Sequence, residues 1–249
     1  MKGIRFFTLI IGLAIISCSP NDEAIPDNVD LKISFSQFVD GTPVQLDQII
    51  YKNALDQQFS IKTIKYFISQ VKLYKADNSV VEIPDIHFVD IRTPETLIYT
   101  FSEKIPVGDY TGISFVHGLI PEENITGSLG LDLDRLMEWP VPMGGGYHYA
   151  KIEGEYKTQQ TESFFNFHSG AFEGVDYAIH VNLLNQPFTI NGSNKVINLK
   201  MEMLNWFTNP TDWDFDYFGP GIMGNSEAQQ VVHDNGIDVY SFEVIESLE

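Results

Sequence analysis

Cysteine is nearly absent: Cys18 is the only one in 249 residues. No disulfide can form within the chain, and zinc sites built on several thiolates are excluded. Positive charge is scarce too, with 15 Lys and Arg against 34 Asp and Glu and a net charge of −19. That balance works against nucleic acid and against electrostatic docking on anionic lipid, and it attracts cations. No apolar run is long enough to span a bilayer as a helix; the longest, residues 6–16, is interrupted by Thr8 and Gly12. The six histidines (His87, His117, His148, His168, His180 and His233) make no HExxH, no tight His-x-His and no Cys/His cluster. There is no GxSxG elbow and no phosphate loop, which argues against a serine hydrolase or a nucleotide-dependent enzyme.

What is present begins with Lys2 and Arg5 ahead of that apolar run, the pattern of an export signal over residues 1–17. The run ends in Ile15-Ile16-Ser17-Cys18, which resembles a bacterial lipobox. The resemblance implies cleavage before Cys18 and lipidation of its sulfur, so that a lipid anchor holds the chain at a membrane. Residues 18–30 carry four acids and two prolines and read as a tether. Loss of Lys2 and Arg5 with the leader takes the net charge from −19 to −21. The remaining residues, 31–249, suffice for one large domain. The expected place is the cell envelope, anchored to the outer membrane on its periplasmic or surface face, with no nucleic-acid partner.

Short β-prone stretches separated by turn residues fill that domain. Residues 31–35 alternate, residues 64–73 are rich in β-branched and aromatic side chains, and residues 76–79 turn the chain into 80–83. Ile197, Leu199, Met201 and Met203 share one face of a strand, opposite Asn198, Lys200 and Glu202. Residues 226–235 make the one helix, with Ser226 and Gln229 placed as a capping box and Gly236 as terminator. Asp212, Asp214 and Asp216 alternate with Trp213, Phe215 and Tyr217, as in a strand with an acidic outer face. The fold class expected is all-β: an antiparallel β-sandwich with one short C-terminal helix.

The chemistry concentrates in residues 136–170. A Met137-Glu138-Trp139 segment leads through Gly144-Gly145-Gly146 to Tyr147-His148-Tyr149, and a hairpin then carries Phe165, Asn166, Phe167 and His168 on its second strand. A turn centred between Gln159 and Gln160 sets His168 opposite Lys151, with His148 on the other face. A slip of one residue sets His168 opposite Ala150, diagonal to His148. The sequence leaves both registers open. Met137 and Met143 are soft thioethers that could meet a copper ion, although Met137 also fits the core face of a short amphipathic turn with Leu131 and Leu136.

Five segments occur in an order that resembles the MbnP-like copper-binding proteins, the methanobactin-associated periplasmic family. They are Ile64-Lys65-Tyr66-Phe67-Ile68-Ser69, Val107-Gly108-Asp109-Tyr110, Met137-x-Trp139 with Gly146-Tyr147, Lys151-Ile152-Glu153-Gly154, and Phe167-His168-x-Gly170. The resemblance covers about residues 31–245. It implies a β-sandwich without catalytic activity and a copper site built from histidines and an oxidised tryptophan. His168 matches the family's Phe-His-x-Gly histidine, His148 and Met137 are further candidate ligands, and Trp139 falls on the first tryptophan of a Trp-x-Trp pattern. Val141 stands where the second tryptophan belongs, so if the oxidised residue is that second one, its ligand cannot form here. The implied partners are a copper ion and a protein that exchanges metal or electrons.

Two other functions fit the sequence. One is a cell-surface glycan- or protein-binding module using Trp139, Tyr147, Tyr149, Trp206 and Trp213 as stacking surfaces. The other is a structural lipoprotein that has lost metal binding. For the anchor, Cys18→Ala should abolish incorporation of labelled palmitate and move the protein to the aqueous phase on detergent partitioning; label retained by the alanine variant would refute lipidation at Cys18.

Overall fold

A computed structural model describes residues 27–191 and 196–246; the expected leader, Cys18 and most of the tether lie outside the described residues. Strand accounts for 45% and helix for 17% of the described residues, and the architecture is the expected antiparallel, sandwich-like one with a C-terminal helix. No described helix is long and apolar enough to cross a membrane.

The main strands are β1 (Lys32–Val39), β2 (Thr63–Lys75), β3 (His87–Asp90), β4 (Gly108–His117), β5 (Ala150–Lys157), β6 (Glu162–Ser169), β7 (Ile179–Ile190), β8 (Val196–Glu202) and β9 (Tyr240–Ile245). One sheet runs β7-β4-β2-β5, with β6 paired to β5 and β3 to β2. The other runs β9-β8-β1, in which β8 and β1 are parallel. Short ribbons extend both. Asn28–Val29, at the end of the expected tether, already pair with Ile105–Pro106.

Alternation explains which faces meet. In β8, Ile197, Leu199 and Met201 are buried while Asn198, Lys200 and Glu202 are half-exposed. They join one core with Ile33 and Phe35 of β1 and with Ile64, Ile113, Ile152, Phe165 and Val181 of the larger sheet. Burying so many large side chains, at about 1.5–3 kcal/mol each, is what holds two sheets face to face.

Three helices are relevant: α1 (Leu131–Met137), α2 (Phe215–Phe218) and α3 (Ser226–Asn235). The α3 span is as expected, but its capping is not. Asn225 is the N-cap, its side chain accepting from the Ala228 N–H, so Ser226 is already inside the first turn. Gly236 keeps a right-handed φ of −69° and leads into a further 3-10 turn (Gly236–Asp238). The acidic alternating segment is not a strand. Asp214 caps α2 by accepting from the Asp216 N–H, and the Gln57 side chain donates to Asp214 and accepts from the Phe215 N–H. Those side-chain bonds offer the backbone a local alternative to a ladder.

A buried polar chain crosses between the sheets. Gln37 of β1 donates to the Tyr66 hydroxyl of β2 at 3.3 Å. Tyr66 is hydrogen-bonded to Tyr240 of β9, and Tyr240 meets His117 Nδ1 of β4 at 2.7 Å. Burial pushes the His117 pKa down to about 3. The folded protein therefore holds His117 neutral where the unfolded chain, near the ordinary imidazole value of 6.5, takes up a proton. Stability contributed this way is complete above about pH 6.5 and declines as pH falls toward 3, by up to about 1.4 kcal/mol per unit. Urea unfolding at pH 7 and pH 4 should show this loss, and His117→Phe should flatten the difference between the two pH values; an unchanged slope would place the acid sensitivity elsewhere.

Candidate functional site

The hairpin of β5 and β6 takes the first of the two registers: Lys151 faces His168 and Ala150 faces Ser169. Regular alternation would then send His148 to the opposite face. It does not, because the chain bends at Tyr149 before β5 begins, and residues 145–150 are all buried without alternation. The Tyr149 N–H donates to the Ser169 carbonyl and the Tyr149 carbonyl accepts from Phe67. This bend brings His148 beside His168, with ring centres 5.0 Å apart and planes nearly perpendicular at 89°.

Each imidazole is fixed by one partner. The His148 Nδ1 donates to the Met137 carbonyl at 3.0 Å, and the His148 N–H donates to the same oxygen at 2.7 Å. Because Nδ1 carries the proton, Nε2 is left with its lone pair. That Nε2 is buried and has no hydrogen-bond partner among the described residues. Burial lowers the His148 pKa to about 4, so the ring is neutral at pH 7. His168 Nε2 donates to the Glu153 carboxylate at 2.7 Å. That bond, first among its causes, holds the Glu153 pKa down to about 2, so the acceptor is ionised. With Nε2 committed to Glu153, Nδ1 is the His168 nitrogen left for a further partner. The Gln229 side chain of α3 donates to the His168 carbonyl at 2.8 Å and fixes the main chain there.

A roof built from α1 and the following turn closes the pair. Trp139 is fully buried and sets its ring edge-on to His148, with centres 4.8 Å apart. The Trp139 N–H donates to the Gly146 carbonyl, and Glu138 bridges Tyr147. Tyr147 latches α1 by donating to Asp134 at 2.5 Å while its hydroxyl accepts from the Leu129 N–H. Gly144, Gly145 and Gly146 have φ of 123°, 72° and 84°, backbone that favours glycine and lets the chain return beneath the roof. Gly170 serves close approach instead: a Cβ there would lie 2.8 Å from the Trp139 ring.

The predicted residues thus meet unequally. His148, His168 and Trp139 come together. Met137 touches the site through its carbonyl, while its side chain packs with Phe67, Leu119, Tyr147 and Tyr149 in a separate apolar cluster. Val141 is 69% exposed, on the outside of the roof. Glu153 and Gln229 were not singled out by sequence. Glu153 was legible once the register is known, since it is the diagonal neighbour of His168 across the ladder; Gln229 comes from a distant helix. His87, His117, His180 and His233 take no part. Among the described residues, no three His, Cys, Asp or Glu side chains group closely enough to hold a metal. The five aromatic residues considered for ligand stacking are all at most 1% exposed and present no row of rings to solvent.

Comparison with known proteins bears on the family and the fold. The family model MbnP matches residues 28–224. The solved structure of MbnP from Methylosinus trichosporium superposes with a TM-score of 0.59 over 87% of this chain and 99% of that one, at 12% identity, which shows a shared fold. No curated protein matches the chain significantly.

The contact between Gly170 and Trp139 is the simplest to test. Gly170→Ala should displace the indole from His148, change the near-UV dichroism and emission of tryptophan, and cost about 1–3 kcal/mol by overpacking. Unaltered tryptophan spectra would mean that the roof does not rest on Gly170.

Proposed function

The chain belongs to the MbnP family, and on that premise we propose that it is a copper-binding or copper-handling protein of the cell envelope, lipid-anchored through Cys18 and without catalytic activity. The observation that carries the reading is the His148 Nε2 atom: buried, unpartnered, neutral, and beside a second imidazole. A buried nitrogen lone pair with no partner is costly to leave bare, and a bound cation would satisfy it.

The donor set fits copper better than the common alternatives. Hard ions such as calcium and magnesium take six or more oxygen ligands, and zinc takes at least three protein ligands. Two neutral imidazoles suit copper, which stands highest in the Irving–Williams order. His148 would contribute Nε2 and His168 its Nδ1, with Glu153 and the Met137 carbonyl fixing both tautomers as carboxylates and carbonyls do behind metal-bound histidines. Copper bound there would supply a one-electron couple or a transferable ion. The acidic surface raises the local cation concentration, and the buried rings exclude water from the ligands. Trp139, edge-on to His148, is the residue placed for the family's oxidised tryptophan, and a metal- or electron-exchanging protein is the partner in keeping with that role.

The test is metal analysis of the exported protein after exposure to a slight excess of copper. Wild type should hold about one ion. His148→Ala and His168→Ala should each lose most of it, and Glu153→Gln should weaken affinity about 10–100-fold. Copper-free wild type would defeat the metal reading, and full loading of both alanine variants would defeat the site. Mass spectrometry of the Trp139 peptide reads the oxidation directly.

A further inference from the structure

The polar chain between the sheets ends in two atoms that no described residue satisfies. His117 Nε2 and Trp206 Nε1 are both buried and have no hydrogen-bond partner among the described residues. Each residue is 1% exposed, and the two rings are neighbours with centres 5.3 Å apart. Neither belongs to the His148 and His168 pair. Tyr66 stacks on the other side of His117 at 5.1 Å, and Tyr240 lies against it at 5.8 Å, so the imidazole sits in a box of three aromatic rings.

Gln37 Nε2 donates to Tyr66, Tyr66 is bonded to Tyr240, and the Tyr240 hydroxyl is bonded to His117 Nδ1. The Trp206 indole can only donate, and His117 Nε2 donates or accepts according to which ring nitrogen holds the proton. Two polar nitrogens on adjacent buried rings therefore lack a partner among the described residues.

We propose that His117 Nε2 and Trp206 Nε1 together bind one internal water molecule, whose oxygen accepts from the Trp206 indole. A water both donates and accepts, so it serves either tautomer of His117, and buried polar atoms without protein partners are the usual hosts of structural waters. The water completes a chain from Gln37 through Tyr66, Tyr240 and His117 to Trp206. Its side chains come from β1, β2, β9 and β4 in turn, so each link joins one sheet to the other. Apolar contact between the sheets has no direction, whereas hydrogen bonds do, and a satisfied chain sets how the two sheets lie on one another.

A high-resolution crystal structure of the wild-type protein tests this. Expected is one ordered water within about 2.7–3.2 Å of both nitrogens. Two nitrogens left dry, or each bonded to a protein group, would overturn the proposal.

Discussion

The ladder of β5 is the constraint on which the site rests. β5 is zipped on one side to β2, with Ala150 opposite Tyr66, and on the other to β6, with Lys151 opposite His168. Side chains alternate with a period of two, so a slip on either side would carry Ile152 out of the core and Glu153 into it. Both flanking strands bury large residues on the same face, which makes such a slip costly. The same register puts Glu153 diagonal to His168, and the bend at Tyr149 then delivers His148 to the face that alternation would have denied it.

The two histidines are oriented by different physics. His148 is stripped of solvent, and a main-chain carbonyl dictates which nitrogen keeps the proton. His168 is partly accessible, with its side chain 13% exposed, and is oriented by an ionised carboxylate. A carboxylate can stay ionised beside a buried pair because Glu153 has further support: Thr63 bonds it and the Lys151 charge lies near. Lys151 in turn reaches the Leu136 carbonyl of the roof, so the electrostatics of the hairpin and the closure of the site are one arrangement.

Several family motif residues acquire a physical reason here. Gly170 is small so that Trp139 can lie on the backbone. The glycine run adopts left-handed backbone, and Tyr147 is the latch on α1. The Ile64–Ser69 segment lies in β2, where Ile64 and Ile68 fill the core and Phe67 packs under the roof against Tyr147 at 6.0 Å. Val141, where the resemblance asks for an aromatic ring, is on the outside of the roof, and the pairing of Trp139 with His148 is complete without it.

By itself the sequence determined the β class, the alternation of β8, the span of α3, and a hairpin that carries His168 on its second strand. These are local properties, written in periods of two and in short-range turn chemistry. Only the tertiary structure decided the rest. The acidic alternating segment became α2 because Gln57, 157 positions away, bonds its cap. Trp139, Tyr147 and Trp206 went inside because two sheets and a roof met around them. The histidine pairing turned on one bend, whose cause is the simultaneous hydrogen bonding of Tyr149 to Phe67 and Ser169 on different strands. Contacts between residues so far apart carry no periodic signal, so no pattern along the chain could announce them.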